Sequence, residues 1–168
     1  MTGVHLVVMG VSGCGKSAVG QAVADALALP LIEGDAFHPA ANVDKMSRGV
    51  PLQDEDRAGW LARLGDELSR HPQGAVLTCS ALKRSYRDLL RSHARGLRFL
   101  HLQVTQDEAL RRVATRGGHF YPPSLVASQF EALENPAGED GVLVVDAQRP
   151  VAQVTHETVA WINSTIRN

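Results

Sequence analysis

Gly10-Val11-Ser12-Gly13-Cys14-Gly15-Lys16-Ser17 fits the pattern G-x-x-x-x-G-K-[S/T] and stands between an apolar run, His5 to Met9, and a segment of helical period, Lys16 to Leu27. Glycines let such a loop curl until successive backbone N–H groups point inward, and the helix that follows adds the positive end of its dipole. The amides from Gly10 to Ser17, continued into Ala18, form a cradle for a polyphosphate. Lys16 reaches the terminal phosphates as a point charge, and the Ser17 hydroxyl is the expected ligand of Mg²⁺. The spacing therefore predicts binding of a nucleoside triphosphate such as ATP. Cys14 lies inside the cradle, where a helix N-terminus can favour a thiolate, but a small packing side chain is the simpler reading.

Working outward, the chain alternates short Val/Leu/Ile-rich runs with longer helical segments. The strands expected are His5 to Met9, Leu31 to Glu33, Ala75 to Cys79, Arg98 to Val104 and Val142 to Val145. Between them fall helices over Lys16 to Leu27, a broken pair across Ala40 to Arg70, then Lys83 to His93, Asp107 to Arg116, Ser124 to Leu133 and Val151 to Ile166. Parallel strands need long right-handed crossovers, so the pattern predicts a doubly wound, three-layer α/β/α domain with a parallel five-stranded sheet.

A length of 168 residues suits one domain. Net charge of −1, with 44% hydrophobic and 21% charged residues, argues against a nucleic-acid partner. No apolar run reaches about 18 residues and the N-terminus lacks a signal-peptide pattern, so no membrane partner and a cytoplasmic location are expected. Cys14 and Cys79 are too few for a disulfide framework and lack metal-ligand spacing.

Two segments interrupt the alternation. Asp35 to Asp56 carries His38-Pro39, Gly49 and Val50-Pro51, and Arg116 to Pro123 is punctuated by Gly-Gly and Pro-Pro. No N-K-x-D guanine-reading motif, repeat or coiled coil accompanies them, which leaves little for a switch GTPase or a mechanical ATPase.

Further blocks carry a specific resemblance. They are Glu33-Gly34-Asp35-Ala36-Phe37-His38-Pro39 with Asn42, Lys45-Met46, Gly49 and Pro51-Leu52, then Asp54-Glu55-Asp56-Arg57 and Trp60-Leu61. Cys79-Ser80-Ala81-Leu82-Lys83, Tyr86-Arg87-Asp88, Arg116, Gly118-His119-Phe120 and Gln129-Phe130-Glu131-Ala132-Leu133-Glu134 complete the set. With the phosphate loop, these blocks make the sequence similar to the gluconokinases of the P-loop type over nearly its whole length. The resemblance implies a P-loop NTPase fold of the nucleoside monophosphate kinase type with strand order 2-3-1-4-5. It also implies a substrate-binding insertion over about 35–60, a lid over about 112–123, and a homodimer. The reaction implied is ATP plus D-gluconate giving ADP plus 6-phosphogluconate, with Mg²⁺. A shikimate-type kinase is the rival within the class, against which the block from Glu33 to Leu61 argues. A non-kinase ATP-binding regulator is the rival outside it.

A sugar acid offers one carboxylate and several hydroxyls, so its pocket needs a fixed cation and several hydrogen-bonding groups. Arg57, Lys83 and Arg87 are candidate cations, with Arg48 a further substrate contact in the insertion, and Asp35 and His38 can address hydroxyls. Asp35, at the end of the second strand, can accept the proton of the attacking hydroxyl or hold Mg²⁺ through water, and is preferred to Asp146 of the fifth strand for the chemistry. Lys83, Arg87, Arg91 and Arg95 recur every four residues as a basic stripe, of which only the first two start close enough to the strand ends to reach a ligand. Arg112 and Arg116, four apart on the helix entering the Gly-Gly loop, can face the triphosphate, Arg116 with a catalytic role. His119 at the lid tip can contact the acceptor.

Overall fold

The computed structural model describes residues 3–115 and 122–166. Strands β1 (Val4–Met9), β2 (Leu31–Glu33), β3 (Gly74–Thr78), β4 (Arg98–Gln103) and β5 (Val142–Asp146) pair in parallel in the order β2-β3-β1-β4-β5, as the resemblance implied. Helices α1 (Lys16–Leu27), α2 (Ala40–Ser47), α3 (Asp54–Ser69), α4 (Arg84–Arg91), α5 (Gln106–Thr115) and α6 (Pro123–Ala132) fill the crossovers, and α7 (Val151–Ile166) follows β5.

Strand alternation makes the three layers. On β1, Leu6 and Val8 face a core completed by Val19 and Val23 of α1, Val113 of α5, Val126 of α6 and Ile162 of α7. Val7 and Met9 point the other way, onto Trp60, Leu61 and Leu64 of α3 and Leu90 of α4. With both faces covered, the strands read as continuous apolar runs. A fully buried Leu or Phe contributes roughly 1.5–3 kcal/mol by leaving water, so either half of the core outweighs any single polar contact on the surface.

The third strand starts one residue earlier than expected, at Gly74. Its φ of +114° suits glycine, and a Cβ there would lie 2.4 Å from the Val4 carbonyl oxygen. Helix α4 is shorter than the Lys83–His93 expectation, because Lys83 is the extended residue that precedes it.

Arg87 departs most from the sequence reading. The basic stripe suggested a ligand cation, but its side chain is wholly buried. The guanidinium pairs with Glu139 at 2.7 Å and donates to the carbonyls of Ala81 (2.8 Å), Leu82 (3.1 Å) and Glu134 (3.0 Å). Arg91 reaches the same Glu139 at 2.8 Å. The two arginines therefore tie α4 to the segment before β5, and the Arg87 guanidinium is committed to that clamp.

Beside this clamp, His101 on β4 is buried, and its Nδ1 has no hydrogen-bond partner among the described residues. Burial first, then the nearby Arg87 charge, pushes the imidazole down to about 4. The fold thus keeps this histidine neutral, whereas the unfolded chain takes up the proton near the usual 6.5. Stability is accordingly expected to fall as pH drops from 6.5 toward about 4, by roughly 3 kcal/mol from this residue, and to be regained above 6.5. Urea unfolding of the wild type and His101→Leu across that range checks this. An equally steep acid loss in the variant would exclude His101 as its source.

Candidate active site

The C-terminal ends of β1, β2 and β3 open on one edge of the sheet, where ligands of parallel α/β folds bind. From β1 the chain enters the phosphate loop. Gly13 (φ +86°) and Gly15 (φ +96°) adopt left-handed backbone, and a Cβ on Gly13 would lie 2.8 Å from the Ala109 carbonyl oxygen. Helix α1 begins with no acidic residue in its first turn and no side-chain cap, so its N-terminal amides and dipole are available to an anion. Lys16 Nζ donates to the carbonyls of Gly10 (3.0 Å) and Val11 (3.1 Å), which holds the ammonium over the loop. The Ser12 N–H donates to the Gln129 carboxamide oxygen of α6 at 2.6 Å.

Ser17 and Glu33 meet at the end of β2. The Ser17 hydroxyl donates to the Glu33 carboxylate at 3.2 Å, and Thr78 on β3 donates to the same oxygen at 2.5 Å. Thr78 also accepts the Gly34 N–H at 3.2 Å. Glu33 was not singled out in sequence; a carboxylate one strand-end from a P-loop serine is the signal that could have found it. Gln129, Ser12 and Ser80, which all line the cleft, were likewise unassigned to the acceptor end.

The cleft itself encloses about 240 Å³. Ser12 and Lys16 line its phosphate end; Asp35, His38 and Arg57 line the other; Leu52, Trp60 and Leu125 supply apolar wall. Asp35 sits in a 3₁₀ turn (Gly34–Phe37) directly after β2, with its side chain open to the cleft. His38 stacks on Trp60 with ring centroids 4.0 Å apart, and the Trp60 indole N–H donates to the Gly34 carbonyl at 2.8 Å. Burial lowers the His38 pKa, Asp35 opposes that shift, and the Arg57 charge adds to it. Arg57 donates to the Tyr86 hydroxyl at 3.1 Å, and that hydroxyl donates to Asp54.

Lys83 and Arg48, among the other expected site residues, do not line the cleft. Lys83 pairs with Asp54 at 2.9 Å. Arg48, exposed at the end of α2, pairs with Asp44 at 2.9 Å. Arg112 lies against the phosphate loop, donating to the carbonyls of Gly13 (3.2 Å) and Cys14 (3.3 Å) and to Ala147 beyond β5 (3.0 Å). Of the three candidate cations for a substrate carboxylate, only Arg57 faces the cleft. Arg116 and His119, with half of the expected lid, fall outside the described residues. Cys14 and Cys79 are both free and buried, and burial pushes the Cys79 thiol up to about 12. Cys79 therefore holds no thiolate at neutral pH.

A family model described as an AAA domain matches residues 6–136. The chain is 44% identical over 161 residues to the thermosensitive gluconokinase of Escherichia coli K12, covering 94% of this chain and 86% of that protein. It is 46% identical over 157 residues to the gluconokinase of Gluconobacter oxydans 621H, covering 92% and 88%. The crystal structure of a gluconokinase from Sinorhizobium meliloti 1021 superposes with a TM-score of 0.87 at 49% identity, covering 94% of this chain and 90% of that one. With the phosphate cradle, the sheet order and the acceptor cleft already in place, this chain belongs to the gluconokinase family of P-loop kinases.

Proposed function

We propose that the protein transfers the γ-phosphoryl group of ATP to a hydroxyl of D-gluconate, giving ADP and 6-phospho-D-gluconate, with Mg²⁺ as companion cation and the cytoplasm as setting. The observation that carries this reading is one cleft that joins a phosphate cradle bearing Lys16 to an acceptor end bearing the Asp35 carboxylate, the His38 imidazole and the Arg57 guanidinium.

The reaction forms a bond from the hydroxyl oxygen to the γ-phosphorus, breaks the bond to the oxygen of the departing ADP, and releases the hydroxyl proton. Asp35 accepts that proton, which fits a carboxylate open to the cleft rather than sealed in an ion pair. Lys16 and the loop amides stabilise charge on the transferring group and on the leaving phosphate.

Ser17 and Glu33 would hold the cation. Both are hard oxygen donors 3.2 Å apart, and no cluster of three or more His, Cys, Asp or Glu fit for a metal occurs among the described residues. That donor set suits Mg²⁺, which takes one or two carboxylates with phosphate and water oxygens rather than an all-protein cage. When bound, the ion supplies neutralisation of polyphosphate charge.

Arg57 is the partner for the gluconate carboxylate. Replacing it by alanine is expected to raise the gluconate KM about 10- to 100-fold, the cost of one charge-assisted interaction, with little change in the KM for ATP. Steady-state kinetics with each substrate varied checks this, and an unchanged gluconate KM would remove Arg57 from the role. The whole reading is tested by ADP release across a panel of sugar acids and shikimate, with mass identification of the product. Equal turnover with and without an acceptor would indicate an ATP-hydrolysing regulator, and turnover with shikimate alone would indicate the other kinase type.

A further inference from the structure

We propose that Asn42 is a positioning residue that fixes His38 as its Nε2–H tautomer, so that the imidazole presents a hydrogen-bond donor beside the Asp35 carboxylate at the acceptor end of the cleft. The tautomer follows from the local hydrogen bonds alone; the use made of it rests on the gluconate reading above.

Asn42 lies in α2 and is 2% exposed. Its Nδ2 is 2.9 Å from the main-chain carbonyl oxygen of Asp56. A carbonyl can only accept, so the orientation of the carboxamide is determined: the nitrogen faces Asp56. That same nitrogen is 3.2 Å from His38 Nδ1. An amide NH₂ has two hydrogens and nothing to accept with, so Nδ1 must be the acceptor and carry no proton. The ring proton of the neutral imidazole is therefore on Nε2, and Nε2 lies 3.7 Å from Asp35 Oδ1.

Turning the ring over would lose the Asn42 bond, and stacking on Trp60 at an interplanar angle of 17° holds its plane. The Asp56 carbonyl is itself held in place. The Asp56 carboxylate takes two bonds from Lys45 of α2, at 2.8 and 2.9 Å, and one from the Gln53 N–H at 2.8 Å. The chain of support runs from Lys45 and Gln53 through Asp56 to Asn42, then to His38.

The result is a donor and an acceptor set side by side, Nε2–H of His38 and the carboxylate of Asp35. Two neighbouring hydroxyls of a polyol complement that pair, one accepting from the imidazole and one donating to the carboxylate. The opposite tautomer would present two acceptors there, so both hydroxyls would have to donate and the imidazole could give no hydrogen bond to a substrate oxygen. Asn42, which does not line the cleft, thus sets the polarity that the acceptor meets.

The test has a spectroscopic and a kinetic arm, both on the full chain. Long-range ¹H–¹⁵N correlation of ¹⁵N-histidine-labelled protein near pH 7.5, with the His38 signals assigned by their loss in His38→Gln, is expected to give an unprotonated Nδ1 and a protonated Nε2. Asn42→Ala is expected to move these shifts toward a mixture of tautomers. Asn42→Leu, which keeps the branched shape but has no donor, serves as the second variant should alanine not fold. A protonated Nδ1 in the wild type, or an unaltered Nε2–H signature in a folded Asn42 variant, would overturn the proposal. In the kinetic arm, the Gln amide extends to the position of Nε2 and the Asn amide only to that of Nδ1. His38→Gln is expected to keep a gluconate kcat/KM at least about tenfold above that of His38→Asn, and equal losses would overturn the assignment of Nε2–H as the acting atom. Wild-type protein with the expected tautomer and no turnover of gluconate would refute the proposed acceptor while leaving the tautomer standing.

Discussion

Lys16→Ala is expected to lower kcat by about 10³-fold or more, the scale at which a charge acting on the transferring phosphoryl group contributes. The lysine bonds within its own loop, to the carbonyls of Gly10 and Val11 and, at 4.0 Å, to the Cys14 sulfur, and it belongs to neither half of the core. The melting temperature should therefore move by no more than a few degrees. Rapid-quench measurement of the first turnover, beside a thermal melt, separates lost chemistry from lost fold. Turnover within tenfold of the wild type would mean that the ammonium is not acting on the phosphates, and the mechanism proposed above would fail at its first step.

Arg87→Met is expected to do the reverse: a large loss of stability with the acceptor affinity retained. The substitution keeps chain length but removes the positive charge, which strands three main-chain carbonyls and half of the Glu139 carboxylate in a buried place. Breaking a buried pair from one side costs about 3–5 kcal/mol. At roughly 2–4 °C per kcal/mol for a chain of this size, the melting temperature should fall on the order of 10 °C. Because Arg91 still reaches Glu139, the loss should lie toward the lower end of that energy range. Gluconate KM measured at low temperature should stay near the wild-type value. An unchanged melting temperature with a tenfold rise in gluconate KM would restore Arg87 to the site.

The contrast between these two residues shows what a sequence exposes. Lys16 was legible because its chemistry is local: the loop, the strand before it and the helix after it are contiguous, and each carries its own physical signature. The sheet was legible for a similar reason, since apolar runs separated by helical crossovers leave few topologies. The burial of Arg87 was not legible, because a four-residue period says which side chains share a helix face but not what covers that face. Its partner Glu139 is 52 positions away. The Gln129 contact with Ser12 spans 117 positions, beyond any local pattern. Glu33 was hidden differently: it stood in a quoted block, but only the pairing of β2 with β3 brings Thr78 to hold it toward Ser17. Asp35, His38 and Arg57 were each named from residue type, and the fold brings all three to one cleft.

Asp56 fastens the excursion after β2 twice, by its carboxylate to Lys45 and by its main chain to Asn42. One amino acid thus welds two helices along both side chain and backbone, and the acceptor-reading stretch carries its own internal bracing. It is built as a self-braced cassette, held by contacts separate from those that hold the phosphate grip, which follows β1 on the far side of β3.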